Sequence, residues 1–119
     1  MTILNLLVLL LIKHFIVDFP LQRPYHYENK GTYGHAGGLL HAGMHGVGTW
    51  FCFAWLFPLT AVYLALFDTL IHYHVDWAKV NINKAFGWGP NNSQFWVLLG
   101  LDQLIHCLTY IGLVYILVV

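Results

Sequence analysis

Four long apolar segments take up most of this chain and limit what it can fold into more than any other feature of the sequence. Only 8% of its 119 residues are charged, whereas a soluble domain has about a quarter. A helix needs roughly 20 apolar residues to cross a bilayer. We therefore predict an all-α polytopic membrane protein with a single transmembrane domain over residues 1–119, an antiparallel bundle of four transmembrane helices. The helices are expected at about residues 2–19, 35–57, 59–80 and 93–119.

The basic residues predict how this bundle is oriented. All five fall at one end, and the opposite end holds the expected turn at Phe57-Pro58 and both termini. Basic residues favour the cytoplasmic side of a membrane, so both termini are predicted on the outer side. Three of the five, Lys13, Arg23 and Lys84, are expected to be anchors whose charged ends reach the headgroup region. The full set is Lys13, Arg23, Lys30, Lys79 and Lys84.

Each apolar segment carries two ionisable side chains spaced four residues apart. Residues at this spacing lie on one helix face, and such a pair can present two ligands in one direction, as in helical zinc motifs. Because neighbouring helices alternate in direction, all four pairs are predicted at one depth, on the basic side of the bundle. The pairs are His14 with Asp18, His41 with His45, His72 with Asp76, and Asp102 with His106.

These eight side chains form a candidate metal site. Burial of unpaired charge in a membrane is unfavourable, and imidazole nitrogens and carboxylate oxygens suit a divalent metal, Zn²⁺ first, with Fe, Mn or Ni as alternatives. Eight ligands could hold one ion with hydrogen-bonding partners around it, or two ions that share carboxylates. The alternative without metal is a polar core in which histidines and aspartates bond to each other across helices.

Some of the same residues, and others beside them, are candidates for catalytic roles. Asp18 or Asp76 could act as a general base, Gln22 could donate to a developing oxyanion, and Lys30 or Lys79 could hold a phosphate.

Three further polar residues flank the predicted site. Asp68 lies one turn before His72 on the same helix face and could orient a ligand or relay protons, although a purely structural role is favoured. Gln103, next to Asp102, is a candidate helper. His74 points away from His72 and is expected at the membrane interface.

The polar residues occur in a fixed order and spacing: His14-x-x-x-Asp18-Phe19-x-x-Gln22, Lys30, His41-x-x-x-His45, His72-x-x-x-Asp76-x-x-Lys79 and Asp102-Gln103-x-x-His106. This ordered pattern resembles the domain-of-unknown-function 3307 family, small integral membrane proteins of bacteria and their phages. The resemblance covers nearly the whole chain. It implies a multi-pass protein of the bacterial inner (cytoplasmic) membrane and strengthens the grouping of these residues, but it carries no settled activity. In residue types alone, the helices are also similar to membrane-bound metal-dependent hydrolases.

Several functions are compatible with these residues. A metal-dependent hydrolase at the cytoplasmic leaflet would act on a lipid or a membrane-embedded substrate. An ion, proton or metal transporter, or a channel-forming oligomer, would need polar groups across the full depth, and the half near Phe57-Pro58 has few. A haem-binding bundle fits the accompanying aspartates poorly. A structural or host-modulating protein with a stabilising metal is a further alternative. Membrane lipids are the expected partners and a homo-oligomer stays open, whereas no nucleic acid is expected from a chain of zero formal net charge.

Overall fold

The computed structural model describes residues 2–119, and within them it contains five α-helices and no strand. The all-α prediction is confirmed. Four helices are long and one is a single turn. They are α1 (Ile3–Asp18), α2 (Pro24–Tyr27), α3 (Ala36–Phe53), α4 (Pro58–Phe86) and α5 (Ser93–Val118).

Capping and turn residues set the ends of these helices. The Thr2 hydroxyl accepts from the Asn5 N–H at the start of α1. Pro58 takes the first position of α4, where its missing N–H is not needed. Gly87 ends α4 with φ of 67°, a left-handed conformation that glycine adopts without strain. Helix α4 therefore runs six residues beyond its predicted end at residue 80, and α3 stops at Phe53, four residues before residue 57.

The four long helices form a closed ring. Helix α1 packs against α3 and α5, and α4 packs against the same two helices. Neighbouring helices are antiparallel. Asp18, near the end of α1, contacts His41 near the start of α3, whereas Lys13, five residues earlier in α1, contacts Gly48 further along α3. Helix α2 lies against α3. This ring directs one face of every long helix into a shared interior.

Length and hydropathy qualify one described helix, α5, as a candidate membrane span, with a mean hydropathy of 1.6. Helix α1 has 16 residues, and α4 carries Asp68, His72 and Asp76 inside its apolar stretch. The four-span arrangement predicted from the sequence is therefore not confirmed by helix length and composition, whereas the coarser all-α class is.

The interior of the ring has an apolar end and a polar end. The apolar core includes Leu10, Phe53 and Leu113, all with no exposed surface. The polar end is unusually large: twelve polar or charged side chains are buried, as many as the buried hydrophobic ones.

Glycines of α3 let neighbouring parts of the chain approach closely. A side chain at Gly46 would overlap Thr69 of α4, and one at Gly38 would come within 3.0 Å of the Lys30 backbone. Gly43 is different, because a Cβ there would meet nothing within 4 Å.

Candidate metal centre

Helices α1, α3 and α4 bring four ligand-type atoms together in the buried interior. Asp18 Oδ1 lies 3.1 Å from His41 Nε2 and 3.7 Å from His72 Nε2. The two imidazole nitrogens are 3.3 Å apart. Asp76 Oδ2 lies 3.4 Å from His41 Nε2 and 3.2 Å from His72 Nε2. Each of these four residues comes from one of the predicted i, i+4 pairs.

These separations match the size of a tetrahedral metal site. Ligand atoms about 2.0–2.1 Å from Zn²⁺ lie about 3.3 Å from one another in a tetrahedron. The five distances among the Nε2 atoms of His41 and His72 and the oxygens of Asp18 and Asp76 lie between 3.1 and 3.7 Å. The ligand types and these five separations suit a divalent metal ion. Two groups have all their ligand atoms within 4.8 Å of one another and could hold such an ion: Asp18, His41, His45 and His72, and His72, Asp76 and His106.

A second group of ligand atoms, those of His72, Asp76 and His106, lies beside the first and shares His72 and Asp76 with it. His106 Nε2 is 3.3 Å from Asp76 Oδ1 and 3.4 Å from Asp102 Oδ1. The Asp102 Oδ1 atom is buried and makes no hydrogen bond within the described residues. The His72 and His106 rings stack with centroids 3.9 Å apart, which fixes their relative orientation. Asp76 can thus contribute one oxygen to each group.

Within the cluster, two further buried atoms make no hydrogen bond to the described residues. They are the Nδ1 atoms of His41 and His72, the two histidines whose Nε2 atoms meet in the first group. Buried polar atoms without hydrogen bonds destabilise a fold by roughly 1–3 kcal/mol each. This cost indicates that contacts of the Nε2 atoms, and not hydrogen bonds of the Nδ1 atoms, set the positions of the two rings.

The charges of the polar interior do not cancel. Lys30 Nζ lies 3.4 Å from Asp76 Oδ2, and Lys79 Nζ lies 3.2 Å from Asp102 Oδ2. Asp18, by contrast, has only histidine and glutamine side chains at its carboxylate oxygens. One negative charge is left over while the histidines are neutral, and a bound cation would compensate it.

His14 and His45 complete the surroundings of Asp18. His45 Nε2 lies 2.7 Å from Asp18 Oδ1, and His14 Nε2 lies 3.0 Å from Asp18 Oδ2. The structure thus brings together all eight residues of the predicted pairs: His14, Asp18, His41, His45, His72, Asp76, Asp102 and His106.

Gln22, Lys30 and Lys79, which were predicted as catalytic helpers, lie at the rim of this cluster. The Gln22 amide donates to the Asp18 carbonyl oxygen at 2.6 Å and accepts from Lys30 at 3.0 Å. Both atoms of that amide are engaged inside the protein, so Gln22 holds Lys30 in place beside Asp76. Lys79 keeps some exposure, at 14% of its side chain.

Lys13 corrects one expectation. It is not an anchor in the headgroup region, because it is 7% exposed and its ammonium lies 3.0 Å from Asp68 Oδ2. The same nitrogen is 3.3 Å from the Tyr110 hydroxyl and 3.4 Å from His45 Nδ1. Thr49 also donates to Asp68 Oδ2, at 2.6 Å. Lys13 faces inward because Asp68, the carboxylate that neutralises its charge, lies on α4.

Two members of this inner network were not predicted from the sequence, although a signal was present. Thr49 lies four residues after His45, and Tyr110 lies four residues after His106. Each ligand pair on α3, α4 and α5 is therefore the core of a three-residue stripe on one helix face. The stripe on α4 gains Asp68 in the same way.

The histidines left out of the prediction stay outside the cluster. His74 is exposed and bonds to the Tyr33 hydroxyl at 2.9 Å, as its position opposite His72 indicated. His35 caps α3 by accepting from the Gly37 N–H. His26 accepts from the Arg23 N–H, and partial burial, together with nearby His41 and Arg23, lowers the pKa of its imidazole.

Two cavities lie between α4 and α5. One has a volume of about 120 Å³ and is lined by Lys79 and Asp102 among apolar side chains. The other, of about 400 Å³, is lined by Lys79, Lys84 and Trp88 among others. Lys79 lines both cavities, and the smaller one gives a small group room beside Asp102.

Comparison with known proteins identifies the family. The family model described as "Protein of unknown function (DUF3307)" matches residues 6–119, and the chain belongs to this family. No curated protein and no solved structure matches it.

Proposed function

We propose that this member of the DUF3307 family is an integral membrane protein that binds a divalent metal, Zn²⁺ first, and uses it to hydrolyse a lipid or membrane-embedded substrate at the cytoplasmic leaflet. The observation that carries the proposal is the convergence of His41, His72, Asp18 and Asp76 at the separations of a tetrahedral site.

The distribution of polar groups supports insertion into a membrane. The described helices bury charged side chains and expose large apolar ones, among them Leu4, Phe51, Tyr63 and Val97, each more than 60% exposed. Water would penalise this arrangement, whereas lipid favours apolar side chains outside and paired charges inside. In this proposal the basic end, with Arg23 and Lys84, faces the cytoplasm.

The chemistry follows from the second ligand group and the cavity beside it. A divalent ion held by His72, Asp76 and His106, whose ligand atoms lie within 4.8 Å of one another, would have three protein ligands, the number typical of catalytic sites, and would supply a water ionised near neutral pH and a Lewis acid. Lys79 lines that cavity and can bind an anionic oxygen of a substrate. Asp102, which keeps an unpaired oxygen, can accept a proton from an attacking water.

The depth of the site favours a hydrolase over a transporter. The polar network reaches as far as Asp68 and Tyr110, and beyond it lie apolar side chains with no exposed surface, among them Leu10, Phe53 and Leu113. A continuous path through each subunit would have to cross this apolar core. The geometry therefore favours a site open to one side only.

Elemental analysis tests the metal proposal first. Protein purified in detergent without chelator should carry one or two divalent ions per chain, and the His41→Gln/His72→Gln variant should carry none while it keeps its helical circular dichroism. The matched control is His74→Gln, which changes an exposed histidine on the same helix as His72. A metal content near zero in the wild-type protein would contradict the proposal.

A hydrolysis assay tests the activity separately. Phospholipids in mixed micelles should release fatty acid or phosphate in the presence of Zn²⁺, and the His106→Gln variant should lose this activity at least 100-fold. If the metal binds but no phospholipid class or membrane-embedded peptide is cleaved, the metal stabilises the bundle and the hydrolase proposal fails.

A further inference from the structure

The five clustered histidines differ in what holds their Nδ1 atoms. In His45 this atom lies 3.4 Å from the Lys13 ammonium, and in His14 it lies 2.7 Å from the Tyr110 hydroxyl. In His41 and His72 it has no partner among the described residues. This difference indicates which ring nitrogen carries the hydrogen in each histidine.

Lys13 and Asp18 contact the two nitrogens of His45 and favour the same proton position. An ammonium group has three donors and no acceptor, and here the donors face Asp68, Tyr110 and His45. The Nδ1 atom of His45 must therefore accept, and in the neutral ring the hydrogen stands on Nε2. That nitrogen lies 2.7 Å from Asp18 Oδ1, a hydrogen-bond distance shorter than the edge of about 3.3 Å expected between two zinc ligands.

Lys13 acts on His14 through Tyr110. Because the Tyr110 oxygen accepts from Lys13, its own hydrogen is free to be donated to His14 Nδ1. The Nε2 atom of His14 then carries hydrogen, which agrees with its neighbours: it faces the Gln103 carbonyl oxygen at 2.7 Å and Asp18 Oδ2 at 3.0 Å, and both can only accept.

We propose that Lys13 is a positioning residue that fixes His45 and His14 as donors to the two oxygens of Asp18, leaving His41 and His72 as the imidazole ligands of the first metal position. The assignment of His41 and His72 as ligands rests on the proposed metal binding. The assignment of His45 and His14 as donors concerns the protein without metal. Metal-ligating carboxylates are commonly held by such outer hydrogen bonds.

The tautomers can be measured in the metal-free protein by ¹⁵N–¹H correlation spectra of the histidine rings. Wild-type His45 and His14 should show hydrogen on Nε2. The Lys13→Met/Asp68→Asn variant removes the ammonium without leaving a carboxylate unpaired. It should show hydrogen on Nδ1 in a measurable share of the His45 rings, although Asp18 still favours Nε2, and an unchanged tautomer would overturn the role of Lys13. Lys84→Met serves as the control, since Lys84 is exposed and far from these rings. Hydrogen on Nδ1 of wild-type His45 would overturn the proposal.

The absorption bands of bound Co²⁺ then distinguish metal ligands from hydrogen-bond donors. A glutamine at position 45 can still donate to Asp18 and accept from Lys13, so His45→Gln should leave the Co²⁺ bands in place and weaken binding by about 10–100-fold. His41→Gln should remove or shift the bands. Equal changes in both variants would overturn the assignment. If the wild-type protein binds no Co²⁺ or Zn²⁺, the proposed function fails while the tautomer result still decides the role of Lys13.

Discussion

At the scale of single residues, Asp18 contacts both a histidine proposed as a metal ligand and the histidines proposed as hydrogen-bond donors. One of its oxygens meets the Nε2 atoms of His41 and His45, and the other meets His14 and the Gln103 amide. Among residues 2–119 no lysine or arginine lies at this carboxylate, so histidine and glutamine side chains are its partners and a bound cation would compensate its charge. Loss of that charge should therefore affect metal binding more than it affects the fold.

We expect Asp18→Asn to weaken metal binding by more than about 100-fold, because outer hydrogen-bond partners alone account for roughly 10–100-fold. Glu28→Gln is the matched control, a carboxylate-to-amide change at an exposed position. Competition with a chromophoric chelator measures both affinities. Similar affinities for the two variants would show that Asp18 is not a ligand.

Lys79 and Lys84 make a second matched pair on one helix. Lys79 lies 3.2 Å from the buried Asp102, while Lys84 is exposed. Removing a partner from a buried ion pair costs about 3 kcal/mol or more, so Lys79→Met should lower the thermal stability of the metal-free protein, and Lys84→Met should not. Because the site then becomes more negative, Lys79→Met should also bind Zn²⁺ about tenfold more tightly. Weaker Zn²⁺ binding in Lys79→Met would contradict this charge argument.

At the scale of helices, the starts and the inward faces were readable from the sequence, whereas the ends of α3 and α4 were not: these helices end at Phe53 and Phe86 instead of residues 57 and 80. Pro58 marks the start of α4 by backbone chemistry alone, and the spacing of four residues places each pair on one face. The inward turn of Lys13 was not readable, because its partner Asp68 is 55 positions away. A lysine near the end of an apolar helix looks the same in sequence whether it reaches the interface or a buried carboxylate.

The contact between α3 and α4 depends on Gly46. An alanine there would overlap Thr69 and bring its Cβ within 3.0 Å of the Ala65 carbonyl oxygen, a backbone atom that cannot turn away. We expect Gly46→Ala to lower the stability by about 1–3 kcal/mol. Gly43→Ala, on the same helix with open space around it, should stay within about 0.5 kcal/mol.

Thermal unfolding in detergent, followed by circular dichroism, compares the two glycine variants. Gly46 lies beside His45, so a shift of α3 should also loosen metal binding in Gly46→Ala. If both alanine variants melt at the wild-type temperature, the close approach of α3 to α4 is not needed for stability.

At the scale of the whole molecule, the bundle combines a buried polar end with an apolar outer surface. Its principal extents are 44 × 27 × 24 Å, and a bilayer has a hydrocarbon core of about 30 Å. Helix α5, with 26 residues, is about 39 Å long at 1.5 Å per residue. Helix α1, with 16 residues, reaches only about 24 Å and would need its flanking polar residues near the headgroups.

Membrane topology provides the test at this scale. The turn after α3 and the loop after α4 lie at opposite ends of α4, so a spanning bundle places them on opposite sides of the membrane. In a Cys52→Ala/Cys107→Ala background, we expect Leu56→Cys to react with an impermeant maleimide in right-side-out vesicles. Asn91→Cys, at the basic end, should react only after the vesicles are opened. Both positions are exposed, so access to the reagent depends on the membrane alone. Equal labelling of the two positions in sealed vesicles would contradict a spanning bundle, and the reverse pattern would place the metal site at the outer leaflet instead.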